Sequence, residues 1–205
     1  MFSPKTFILH LRSMSGYIAF SSILFLAGIV IGGTNERLEA YITSQLQALG
    51  SISQAIESSA NPGMAAFAFI FFNNTIKSIL IMYLGAAFAL VPIFFLIVNG
   101  MILGYVFTHH NPDYNTFELI ARGILPHGIL EIPAIIIAAA YGIKFGTLTF
   151  KGIGNLVQRK QGFGAIYEQF AIRTVPLMVA LVIALLAAAV IEATITPWLL
   201  NGMKM

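Results

Sequence analysis

Six polar residues interrupt otherwise apolar stretches: Asn73, Asn74 and Lys77 in FIFFNNTIKSIL, Asn99 in FFLIVNGMILG, and His127 and Glu131 in GILPHGILEIPAIII. An ionisable group near the centre of a bilayer costs at least ~2.5 kcal/mol on insertion scales, so it needs a partner or a purpose. On a helix Asn73, Asn74 and Lys77 fall within about 100° of one another and share a face. His127 and Glu131, four residues apart, lie one turn apart on a common face.

Three kinds of chemistry suit this set. The first is a structural lock: Lys77 neutralises Glu131, or an asparagine meets it, while His127 bonds a carbonyl freed near Pro126 and Gly128. The second is a proton or ion relay along the helix. The third uses His127 and Glu131 as acid–base groups or metal ligands. A zinc site needs three or four ligands. The other histidines are His10, near the chain start, and His109-His110, a polar pair in HHNPDYNTFE that reads as solvated. The lock is therefore the leading reading, with no metal, no cofactor and no catalytic residue expected. Glu192 reads as a carboxylate snorkelling from the end of the last span. Cysteine is absent, as are the GxxxxGK[ST], GxSxG and GxGxxG patterns. The chain is not expected to be an enzyme.

Composition decides what must position these groups. Hydrophobic residues make up 58% of the 205 and charged residues 9%, with a mean hydropathy of +0.87. A soluble domain carries about 25% charged residues, so a water-exposed globule and a disordered chain are both excluded. The basic residues form no cluster larger than Arg159-Lys160, which argues against nucleic acid. The expected fold is all-α: one integral-membrane domain over 1–205, a polytopic bundle in the lipid bilayer. Its five spans are placed at about 15–33, 65–83, 87–108, 123–150 and 174–197. The first is read as an uncleaved span, because no small-x-small site follows it directly. Residues 64–108 are too long for one span, and the break is placed near Gly85. A broken or re-entrant helix is expected before the fourth span, with Pro126 opening the new helix. Amphipathic interfacial helices are expected within 34–63 and 151–173.

Basic residues set the orientation. Lys5 and Arg12 precede the first span, while Lys144, Lys151, Arg159, Lys160 and Arg173 cluster between the fourth and fifth. The 34–63 and 109–118 loops are net acidic. Five spans with the N-terminus inside put both basic segments in the cytoplasm, so a multi-pass cell-membrane protein is expected. Small residues at four-residue spacing, Gly28/Gly32, Gly100/Gly104, Gly142/Gly146 and Ala184/Ala188, predict close helix packing and a homodimer.

FFNNTIKS at 71–78, the small residues around Gly85, NGMILG at 99–104 and ILPHGILEIPAIIIAAAYGIKFG at 124–146 resemble the stage II sporulation protein M family. Pro126-His127-Gly128 with Glu131 is the specific part of the likeness. The resemblance runs in order from the first span to the last. It implies a membrane scaffold in sporulation and peptidoglycan remodelling, recruiting cell-envelope hydrolases on the outer face. A small-solute, ion or lipid transporter using Asn73, Lys77, Asn99, His127 and Glu131 is the alternative.

Overall fold

A computed structural model describes residues 4–109, 115–158 and 163–201. They are helical apart from short turns between the elements, with no strand among them. α1 (Pro4–Ser13) leads into α2 (Ser15–Thr34), and a 3-10 turn, Glu36–Leu38, precedes α3 (Glu39–Glu57). α4 (Pro62–Leu84) and α5 (Leu90–Thr108) follow. The chain continues through α6 (Thr116–Glu118), α7 (Leu125–Val157), α8 (Phe163–Val190) and α9 (Thr196–Asn201). Five helical runs are long and apolar enough to cross a membrane: Ser15–Thr34, Pro62–Leu84, Leu90–Thr108, Thr116–Val157 and Gly164–Asn201.

Local sequence explains where the spans begin and turn. The Asn61 side chain accepts a hydrogen bond from the Met64 N–H at 3.1 Å, and Pro62 occupies the first turn, where its missing donor costs nothing. The break expected near Gly85 is a turn closed by Phe88 and Ala89, both left-handed at φ 58° and 62°. That reversal makes α4 and α5 antiparallel neighbours. The last two runs are longer than the spans expected from hydropathy, at 42 and 38 residues. At 1.5 Å per residue each is about twice the ~30 Å hydrocarbon thickness, so both overhang it. The basic 151–173 segment forms the end of α7 and the start of α8 rather than a helix of its own; residues 159–162 lie outside the described residues. α3 is the other expected amphipathic helix: it buries Ile42 against α4 and α5 and exposes Tyr41 and Leu49.

Glycine stripes bring backbones together. A Cβ at Gly28 or Gly32 would run into the carbonyls of Ile97 or Met101, and one at Gly100 or Gly104 into those of Phe25 or Ile29. α2 and α5 therefore touch along both stripes. A second junction joins the α4–α5 turn to α7: Gly85 lies against Gly142, and Gly146 against Ala89. α7 is the central helix. Ala138, Ala139, Ala140 and Tyr141 are buried, and Phe145 is packed against Phe170 of α8.

Candidate functional site: a His–Glu–Glu cluster

Two π-helical stretches lie at the end of the bundle that carries α3. One is Leu119–Ile124, just before α7; the other is Ile191–Ile195, just after α8. Each is followed by the same arrangement, one residue and then a proline: Leu125-Pro126 and Thr196-Pro197. A proline within a continuing helix lacks a donor and its ring clashes with the carbonyl four residues back. Wider winding moves that carbonyl aside. In both places the N–H before the proline reaches five residues back, Leu125 to the Ile120 oxygen and Thr196 to the Ile191 oxygen. Such turns shift the facing of the residues around them and recur at functional sites.

Here they bring three side chains together. His127 and Glu131 project from the first turns of α7, and Glu192 projects from the second π stretch. One ligand atom from each lies within 4.8 Å of the others. His127 Nε2 stands 4.0 Å from Glu192 Oε2. Its Nδ1 is buried without a hydrogen-bond partner among the described residues. Eight polar side-chain atoms share that condition, but only His127 Nδ1 belongs to this cluster. His127 is 13% and Glu192 30% exposed at the side chain, so the group is sheltered yet open on one side.

The remaining sequence candidates are placed differently. Lys77 forms no ion pair with Glu131 within 4.0 Å, although its charge acts on that carboxylate through space. The lock expected between them is thus replaced by a His127–Glu192 approach, because the π turn carries Glu192 inward rather than leaving it to snorkel. Pro126 and Gly128 lie at the start of α7, but His127 bonds no carbonyl freed there. Asn73 donates to the Asn74 side chain at 3.1 Å, and Asn99 donates to the Phe95 carbonyl within its own helix at 2.8 Å. Neither asparagine bond reaches the cluster. His109 stacks on Tyr105 at 3.6 Å between ring centroids, and its partner His110 lies outside the described residues. The sequence signal that could have found Glu192 is Pro197, five residues on, repeating the Pro126 context on a second helix.

A second sheltered histidine lies at the opposite end. His10 of α1 packs edge-on against Tyr141 and Phe170, at 5.5 and 6.2 Å between centroids. Burial, and then the nearby Arg173 charge, hold its pKa below the ordinary histidine value.

The chain is 31% identical over 124 residues to one uncharacterized protein of the archaeon Methanocaldococcus jannaschii, covering 60% of this chain and 52% of that protein. A second uncharacterized protein of the same organism is 32% identical over 125 residues, 60% of this chain and 67% of its own length. The chain thus spans about half the length of the first relative and two thirds of the second. No solved structure matches it. The family described as Stage II sporulation protein M matches residues 21–197, from within α2 through the second π stretch to Pro197. This multi-span membrane chain belongs to that family.

Proposed function

We propose that the protein is a static membrane platform, with its N-terminus in the cytoplasm, that positions cell-envelope hydrolases at the outer face of the cell membrane. The observation that carries this reading is the pair of glycine junctions. Where backbones meet with no side-chain layer between them, helices have little room to slide, because packed interiors resist continuous deformation. A platform benefits from that rigidity. Family membership supports an envelope role of the sporulation type. The end of the bundle bearing α3 carries Glu39, Glu57 and Glu118 and offers exposed Tyr41 and Leu49 as a contact face. Bond cleavage belongs to the partners in this reading, and this chain is not an enzyme.

The test is co-purification of the full chain with peptidoglycan hydrolases from crosslinked cells of its own source. Tyr41→Lys with Leu49→Lys is expected to abolish recovery of the hydrolase while leaving a folded membrane protein. Equal recovery with the double variant, or recovery of no hydrolase at all, would overturn the reading.

The His127–Glu131–Glu192 cluster favours a second reading, movement of a proton or small ion, since titratable groups within spans mark such paths. His127→Gln discriminates between them. An amide replaces imidazole as a polar filler but does not titrate near neutrality. Complementation by a well-folded His127→Gln protein supports the platform; loss of function with normal folding supports the relay.

A further inference from the structure

We propose that His127, Glu131 and Glu192 bind a single first-row divalent cation of the zinc class. The site lies in the outer part of the membrane, roughly 23 Å along α7 from the Gly85–Gly142 junction at 1.5 Å per residue.

Three observations carry it. The first is the donor set. Neutral imidazole suits Zn, Fe and Ni, carboxylates accept the same ions, and a histidine ligand argues against magnesium or calcium. Three protein ligands with one face open is the arrangement of zinc sites that keep a position for water or substrate. The second is charge. Two carboxylates with a neutral imidazole sum to −2, which one divalent ion cancels, and an uncompensated pair of carboxylates at this depth is costly. Lys77 stands too far away to pair with either within 4.0 Å. The third is satisfaction. His127 Nδ1 is buried with no hydrogen-bond partner among the described residues, and Nε2 lies 4.0 Å from Glu192 Oε2, beyond hydrogen-bond reach. The ligand atoms of the three side chains converge within 4.8 Å, while ligands on one tetrahedral ion at ~2.0–2.1 Å stand about 3.3 Å apart. Small rotations of the two glutamate side chains close that gap. The π turn beneath Glu192 leaves its backbone outside the tight α-helical register.

The proposal does not rest on the platform reading. It concerns what the cluster binds, whatever the whole protein does.

The experiment uses the full chain in detergent, stripped with EDTA, in a background where His109→Gln and His110→Gln remove these adjacent histidines as a competing site. Equilibrium dialysis against micromolar Zn2+, followed by elemental analysis, is expected to give one ion per chain. Glu131→Gln with Glu192→Gln should reduce this to the level of buffer. Lys77→Met should tighten binding several-fold, because it removes a positive charge near the ion; a purely structural cluster would not respond that way. Co2+ added to the protein with its three ligands intact should give a visible absorption band of low-coordinate nitrogen and oxygen ligation, which keeps the test open if the Gln variants fold poorly. No stoichiometric Zn2+, stoichiometric binding that survives loss of both carboxylates, or a purely six-coordinate water-like Co2+ spectrum would each overturn the proposal.

Discussion

His10 is half-buried, flanked by two aromatic rings and near the Arg173 charge. Its pKa is lowered from 6.5 in the folded protein. Below that pH the unfolded chain takes up a proton that the folded one resists, so stability falls as pH drops from 6.5 toward the folded value. Above it both states are neutral and the effect is gone. Limited proteolysis of α1, normalised at each pH to cleavage of an unfolded substrate by the same protease, is therefore expected to accelerate as pH falls from 7 toward 5, and His10→Gln should flatten that dependence. At the other end, Glu131 and Glu192 bring oxygens within 4.8 Å of each other, whereas Lys77 makes no ion pair with Glu131 within 4.0 Å. In EDTA, Glu131→Gln and Glu192→Gln should each relieve the repulsion, and the double variant should gain little more. A thermal double-mutant cycle is expected to give a coupling of about 1 kcal/mol or more for this pair and less for Glu131 with Lys77. Additive effects for the two glutamates would mean that they do not sense one another. The sequence supplied His127 and Glu131 because they share one helix and one periodicity. It left Glu192 aside because residues 65 positions apart share no periodicity, and the proline context repeated at Pro197 marks an irregular turn without naming its partner.

The helices depend most on what glycine omits. Gly32 and Gly104 face carbonyls across the α2–α5 contact at separations that no Cβ tolerates, and the atoms in the way are backbone rather than a flexible side chain. Gly32→Ala or Gly104→Ala is expected to destabilise the protein by ~1–3 kcal/mol through overpacking. Gly16→Ala and Gly154→Ala, which meet nothing within 4 Å, should be neutral or slightly stabilising by helix propensity. Thermal unfolding in detergent separates the two groups, and a neutral Gly104→Ala would dissolve the junction. The four-residue stripes were legible because a straight helix lines up every fourth residue. The choice of partner was not: Gly142 and Gly146 meet a turn between two spans, which a stripe on one helix does not reveal. The five long apolar runs were readable from hydropathy, since a bilayer selects apolar stretches of a minimum length. The overhangs of α7 and α8 were not, because a helix that leaves the membrane keeps its backbone hydrogen bonds and needs no further apolar residues. Pro126 marked its own irregularity, whereas Pro197 was hidden near the chain end.

At the scale of the whole molecule, charge divides the bundle. Among the described residues Lys5, Arg12, Lys144, Lys151 and Arg173 belong to the end where α1 enters and α7 passes to α8, and Glu168 is the acidic residue among them. Among the described residues Glu36, Glu39, Glu57 and Glu118 belong to segments at the other end, with Arg37 and Arg122 between them. Arg122 and Glu118 lie 3.5 Å apart one turn along the helix, so part of that positive charge is already answered locally. Retention of Lys and Arg on the cytoplasmic side sets the orientation of such a chain. Because the number of spans is odd, α9 must end on the side opposite α1. A reporter active only in the cytoplasm is therefore expected to be silent when fused after Met205 and active when inserted between Arg159 and Lys160, with an exported reporter giving the reverse. Cytoplasmic activity at both positions would require an even number of crossings. It would return one of the five runs to the membrane surface and put the His127–Glu131–Glu192 cluster at a different depth. Reversed activity at both positions would keep the five spans and turn the bundle over, against its own charge.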